Sequence, residues 1–308
     1  MRKTFAKTLV ELAKKDKDIF LITGELGYGA LEEFWQTLPK QFLNAGVSEQ
    51  NMISMAAGMA MAGKNVYVYS IIPFATMRPF EQIRLDLCYQ NLNVKIVGVG
   101  AGFSYSMYGA SHLASEDIAI MRALPNMTVV CPGDPLEAKF ATIASVKHKG
   151  PMYLRLAKAG EPIVNPGLKY FKIGRAVQIR QGKDACIIAT SNLVQNASEA
   201  VKILTAQKIN CRLLSMHTIK PIDKLAIIKA AKETKAIVTL EEHNIIGGLG
   251  SAVAEVLAES GLKIKFKRLG STDEYPKVVG SQKFLRAKYG LSIEKVARFV
   301  HNAVKKRS

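Results

Sequence analysis

Residues 41–63 read QFLNAGVSEQNMISMAAGMAMAG. A short apolar piece ends at Ala45-Gly46. One carboxylate, Glu49, then precedes a run of alanine, glycine, methionine and serine with almost no charge. Ser48 suits the cap of a helix that begins here with Glu49 in its first turn. The run 53–62 is apolar nearly all round, so this helix is expected to be buried, its small residues allowing close backbone approach. A carboxylate at the mouth of such a helix is either a first-turn acid favoured by the helix dipole or a group set in a dry site for proton work. The surrounding sequence has to choose.

Outward from this stretch the chain alternates strand and helix. A helix is expected over 4–14 and a buried strand, IFLIT, over 19–23. That strand ends in a glycine-bearing turn containing Glu25, and in open α/β sheets ligands bind just past such strand ends. A helical turn over 31–38 and a strand over 42–45 lead into the Glu49 helix. After a strand over 65–72, Pro73 interrupts, and 74–91 reads as one long helix with Phe80, Ile83 and Leu87 on a face. A strand over 95–99 runs into GAGFSYSMYGASH (100–112), a long loop with a single histidine, His112. Loops of this kind are disproportionately functional; a loop histidine is otherwise an ordinary hydrogen-bonder. A helix over 115–124, strands over 127–131 and 151–156 (the second carrying Arg155) and a helix over 136–146 complete a parallel sheet with helices on both faces.

Residues 1–165 form the first expected domain, and 166–182, irregular and rich in proline and glycine, a linker. The second domain, 183–308, alternates again, with strands over 185–189, 211–215, 236–240 and 263–269. Its Gly247-Gly248-Leu249-Gly250 lacks the remaining parts of a dinucleotide fingerprint and reads as a close helix-to-sheet approach.

The 308 residues carry 43 Lys and Arg against 25 Asp and Glu, a net charge of +18. Such a surface attracts anions: phosphorylated metabolites, nucleic acid or an acidic partner. The basic residues are spread out, with only a short cluster at Lys305-Lys306-Arg307 and no nucleic-acid-binding signature, so nucleic acid is disfavoured. The amino-terminal segment lacks an apolar signal-peptide core and no run is long enough to span a membrane, which points to the cytoplasm. Cys88, Cys131, Cys186 and Cys211 form no CxxC pair and read as small buried hydrophobes.

Several stretches recur together in order: Gly46-Val47-Ser48-Glu49-Gln50-Asn51, Tyr69-Ser70 with Phe74 and Glu81-Gln82-Ile83-Arg84, Gly109-Ala110-Ser111-His112 with Glu116-Asp117-Ile118-Ala119, Leu124-Pro125-Asn126-Met127, and Leu240-Glu241-Glu242-His243. Together they resemble the transketolase family of thiamine diphosphate enzymes across essentially the whole chain. The resemblance implies two doubly wound α/β domains, a parallel-sheet pyrimidine-binding domain followed by a smaller mixed-sheet C-terminal domain. The family's diphosphate- and Mg²⁺-binding Gly-Asp-Gly element is missing. The chain therefore resembles the C-terminal half of a split transketolase, with thiamine diphosphate shared and Mg²⁺ held by an N-terminal partner chain, in a dimer of heterodimers.

By the same resemblance Glu49 faces N1′ of the aminopyrimidine and shares a proton with it, and Phe74 stacks on the ring. Ile71 and Met77 make an aliphatic wall, and Glu25 lies near the cofactor. His112 handles donor hydroxyl protons, and Arg155 binds substrate phosphate. Tyr108 stands where typical transketolases carry an aspartate that reads the acceptor, and Gly100 where they carry a phosphate-binding histidine. Those two departures imply ketol transfer with a non-standard sugar. The rival expectations are the β subunit of a 2-oxoacid dehydrogenase, a deoxyxylulose-phosphate-synthase-like acyl transferase, and a non-catalytic interaction subunit.

Overall fold

The computed structural model describes residues 1–305; Lys306 and Arg307 of the terminal basic cluster lie outside them. The strands are β1 (Ile19–Thr23), β2 (Phe42–Asn44), β3 (Asn65–Ile71), β4 (Val94–Val99), β5 (Thr128–Val130), β6 (Met152–Leu156), β7 (Val177–Arg180), β8 (Ala185–Ala189), β9 (Cys211–Ser215), β10 (Thr218–Lys220), β11 (Ala236–Asn244) and β12 (Lys265–Ser271). The first sheet has the order β10-β5-β6-β4-β3-β1-β2, and the second β12-β11-β8-β9-β7.

β1, β3, β4 and β6 run parallel and are buried along almost their whole length, as the unbroken apolar runs require. Tyr67 and Tyr69, two apart on β3, share a sheet face and pack on Phe5 of the Arg2–Ala13 helix. β1 lies between β2 and β3, so chain connections leave in opposite directions there. This is the topological switch point, where a crevice opens past the carboxyl ends of the strands.

Two strands were not foreseen, and both are short or weakly buried edges. β7 occupies the end of the expected linker 166–182 and pairs antiparallel with β9, which makes the second sheet mixed. β10, from the second half of the chain, pairs antiparallel with β5 of the first sheet, so the two halves share a sheet edge.

The expected helix over 74–91 is in pieces: Ile72–Thr76, Phe80–Gln82 and a π-helical segment Ile83–Tyr89. Pro79 lies between the first two, where its ring and missing N–H break an α-helix. The Glu49–Met61 helix is buried on one side only, through Glu49, Met52, Ile53, Ala56 and Ala57. Its other side leaves Asn51, Ser54 and Gly58 exposed and Met61 64% exposed, beside exposed Leu85 and Tyr89 of the π-helical segment. Ser48 precedes the helix but its hydroxyl makes no capping bond. All four cysteines are free and buried. No helix among the described residues is long and apolar enough to cross a membrane.

Candidate functional site

The carboxyl ends of β1 to β4 bring Glu25, Glu49, Phe74 and His112 to one edge of the first sheet. Glu49 opens its helix 4% exposed, and its Oε2 accepts a hydrogen bond from Arg78 Nη1 at 3.2 Å. The Arg78 guanidinium also lies 4.0 Å over the ring of Phe74, a cation–π contact reaching back from the turn that follows the Ile72–Thr76 helix. Phe74 meets the imidazole of His112 edge to face, centroids 5.1 Å apart. Glu49, Arg78, Phe74 and His112 thus form one continuous line of contacts.

His112 is half-buried. Its Nδ1 lies 3.0 Å from Ser111 Oγ, and its ring is 5.1 Å from that of Tyr108. Burial lowers its pKa below the usual histidine value, and the Arg78 cation lowers it further. A neutral imidazole at the crevice can accept a proton near neutral pH. Tyr108 is 63% exposed at the loop tip. Behind it, Tyr105 carries the Lys158 ammonium 4.8 Å from its ring centroid.

Glu25 is exposed, in a left-handed backbone conformation. It accepts from Asn44 Nδ2 at 2.6 Å and from the Tyr28 hydroxyl at 3.0 Å. These groups rim a cleft of about 320 Å³ with Thr23, Trp35 and Phe42. Ile71 closes β3 as a buried residue, and Met77 is half-buried between Phe74 and Arg78 in sequence.

Arg155 corrects the expectation that it binds substrate phosphate. It is fully buried on β6, with Nε 2.7 Å from Asp117 Oδ2 and Nη2 donating to Asp117 Oδ1, Ala114 O and Glu242 O. Its charge is paired inside the fold through Nε and Nη2, while the buried Nη1 has no hydrogen-bond partner among the described residues. Asp117 also accepts from the Tyr153 hydroxyl at 2.6 Å. The residue that sequence reasoning missed is Arg78, whose only signal was a cation four positions after Phe74.

The pieces fit one half of a cofactor. A methyl group at Gly24 would stand 3.7 Å from Glu49 Oε1, so the glycine keeps space beside that oxygen. A carboxylate with an open flank next to an aromatic ring suits a flat heterocycle with a ring nitrogen to hold. Among the described residues, no group of three or more His, Cys, Asp or Glu could bind a metal ion.

Residues 1–160 match the family "Transketolase, pyrimidine binding domain", and 174–296 match "Transketolase, C-terminal domain". The chain belongs to the transketolase family. It has the two domains of a transketolase C-terminal half, and the family uses thiamine diphosphate. It is 38% identical to an apulose-4-phosphate transketolase subunit of Phocaeicola vulgatus, over 99% of this chain and 97% of that one. It is 35% identical to a 6-deoxy-6-sulfo-D-fructose transketolase subunit of Clostridium sp. strain MSTE9, over 100% of this chain and 95% of that one. Among solved structures it is similar to a split-gene transketolase in an inactive β4 tetramer, at 37% identity and TM-score 0.90, covering 99% of both chains.

Proposed function

We propose that this chain is the C-terminal subunit of a two-chain transketolase that moves a two-carbon ketol unit from a ketose donor to an aldehyde acceptor. The observation that carries this reading is the convergence of Glu49, Phe74 and His112 on the switch-point crevice, as the family resemblance requires of them. Thiamine diphosphate, when bound, supplies the electron sink for carbon–carbon bond cleavage. Glu49 would hold the proton at the aminopyrimidine's ring nitrogen, in a nearly dry setting that strengthens the bond. Phe74 would support the ring, with Ile71 and Met77 as its aliphatic surroundings and Glu25 at the cleft rim. His112, neutral and half-exposed, would pass protons to and from substrate hydroxyls.

The diphosphate and Mg²⁺ are assigned to an N-terminal partner chain. Exposed Met61, Leu85 and Tyr89 offer the assembly an apolar patch, and the inactivity of the β4 tetramer supports the need for another subunit. A dimer of heterodimers in the cytoplasm, with free thiols, is the arrangement proposed.

A non-standard sugar is favoured by Tyr108, an exposed aromatic 5.1 Å from His112 where an acceptor-reading carboxylate would stand. Relatives named for apulose 4-phosphate and for a sulfo-sugar support the same reading. The excess of positive charge suits an anionic sugar.

Calorimetry tests the subunit reading, with thiamine diphosphate plus Mg²⁺ titrated into this chain alone and then into its mixture with the adjacent gene's product. Binding only in the mixture is expected, followed by turnover in a ketose–aldehyde screen. Release of carbon dioxide from pyruvate by the mixture would instead favour the acyl-transfer rivals. High turnover of xylulose 5-phosphate with ribose 5-phosphate would remove the non-standard sugar.

A further inference from the structure

The loop that bears His112 has a closed neck. Gly102 and Ala114 form an isolated antiparallel bridge, and the Ala114 amide donates to Gly102 O at 3.0 Å. The end of β11, from the second domain, grips this neck from both sides. On one side Glu242 Oε1 accepts the Phe103 amide at 2.8 Å; on the other the Asn244 amide donates to Ser115 O at 2.8 Å. Further along, the Ser106 hydroxyl donates to Gly280 O at 2.6 Å.

Glu242 is itself held. It is fully buried, and besides Phe103 it takes Gln282 Nε2 at 2.8 Å on Oε1, and Arg286 Nε and Nη2 at 3.0 and 2.6 Å on Oε2. With Arg286 donating twice to Oε2 and Phe103 and Gln282 donating to Oε1, both oxygens are held and the carboxylate is fixed in orientation as well as position. The fit leaves no slack: a Cβ at Gly102 would lie 2.5 Å from Glu242 Cγ, and Gly102 holds φ +59°.

We propose that Glu242 is a positioning residue, through which the C-terminal domain sets the pose of the 100–112 loop and so places His112 against Phe74. The Phe103 amide is the point of transmission. Arg286 and Gln282 are the outer supports that stop the carboxylate from following the loop. The C-terminal domain then contributes to the site without touching substrate, and a loop whose internal bonds are short-range turns is tied to the rest of the fold at its neck.

The consequence for catalysis rests on the transketolase reading, but the clamp can be tested without it. The test compares the full chain with its Glu242→Gln variant by hydrogen–deuterium exchange and by NMR titration of the His112 imidazole. In the variant one acceptor oxygen is lost and Arg286 loses its anion. Amides of 102–114 are expected to exchange about tenfold faster, while β1, β3 and the Leu249–Ser260 helix keep their rates. The His112 midpoint is expected to rise towards the ordinary histidine value as the loop leaves its half-buried seat. In the reconstituted enzyme, kcat is expected to fall about tenfold or more with thiamine diphosphate affinity unchanged.

Unchanged exchange and titration at the loop, or acceleration spread over the whole chain, would overturn the proposal. If Glu242→Gln does not fold, Arg286→Lys weakens the outer support at a residue that makes no bond of its own to the loop, whereas Gln282 also bonds Ser104 Oγ. This variant should speed exchange in the same segment to a smaller degree, and no change there would equally overturn the clamp. If the wild-type mixture shows no ketol transfer, the functional reading fails while exchange and titration still decide the clamp.

Discussion

Glu49 and Glu242 are both buried glutamates, and they live in opposite circumstances. Glu49, at the edge of the first sheet, receives one hydrogen bond, from an arginine that is itself half exposed. Glu242, at the seam between the domains, receives four from three residues. Around it lie the Asp117–Arg155 pair and, further along the seam, Glu137 bonded to Ser215 of β9. The crevice keeps polar groups with capacity to spare, as a site that must take a ligand requires. The seam pairs most of its own, Arg155 Nη1 being left without a partner among the described residues, as a region that must hold one shape requires. Substitutions at the seam should therefore show first in stability, and substitutions at the crevice in binding and turnover.

The seam should break hardest at Asp117. Asp117→Ala would strand the fully buried Arg155 charge, and breaking such a pair costs about 3–5 kcal/mol. The urea midpoint at pH 7 is the measurement, and a loss under 1 kcal/mol would show that the seam tolerates an unpaired charge. Burial pushes the Asp117 carboxyl up, but Arg155, His243 and the Tyr153 hydroxyl together outweigh it and the pKa ends below the ordinary aspartate value. For a depressed acid the stabilisation is complete above the unfolded pKa, about 3.9. It is lost as pH falls through the lower, folded pKa. Wild-type stability should therefore decline on acidification below about pH 4, and the Asp117→Ala chain should lack that component.

The crevice counterpart is Glu49→Ala. Its partner among the described residues, Arg78, can turn to water, so the cost in stability should stay within about 1 kcal/mol. Turnover of the reconstituted enzyme should fall by at least about a hundredfold. Unfolding of this variant would make Glu49 a structural first-turn acid and erase the contrast between the two regions.

This contrast also explains what could be read from the sequence. The alternation of buried strand and helix was legible because apolar runs such as IFLIT and NVYVYSI have no other comfortable state. β7 and β10 escaped because short edge strands carry little periodic signal, and their pairing is decided by chain segments far away. Glu49, Phe74 and His112 were singled out through the family resemblance, and the structure brings them to one crevice; their roles there are those proposed above. Arg155 was misread because a cation on a strand looks the same in sequence whether it faces substrate or a buried carboxylate. Asp117, 38 positions earlier, settles it, and only the fold brings the two together. Arg78 was passed over because 74–91 was read as one helix; the helix stops at Thr76, and the turn before Pro79 sets Arg78 beside Glu49.

Glu137 offers a gentler way to sharpen the comparison, because the seam holds it at a cost. It is fully buried at the start of the Pro135–Lys147 helix, bonded by the Gly133 amide at 2.6 Å and the Ser215 hydroxyl at 3.0 Å. Burial pushes its carboxyl up to about 7. Between its unfolded pKa and that value the folded chain keeps a proton that the unfolded chain releases. Stability therefore falls as pH rises through this window, and the full cost is present above it. Glu137→Gln keeps an acceptor for both donors and removes the titration. It is expected to stabilise the chain by about 1–3 kcal/mol at pH 8 and to flatten the slope between pH 5 and 7. An unchanged slope would place the titrating group elsewhere.

The smallest effect belongs to the crevice. Burial is the larger reason that His112 titrates low, and Arg78 is the second. If neutral His112 is the base, the acid limb of kcat/KM lies below the usual histidine value. Arg78→Ala removes only the lesser cause, so the midpoint should rise without reaching the ordinary histidine value. Because Arg78 is half exposed, added salt should move the wild-type midpoint the same way and leave the variant's in place. A variant midpoint that does not rise, or that still responds to salt, would mean that another cation acts on His112. Lys158, held over the Tyr105 ring of the same loop, would be the first to replace.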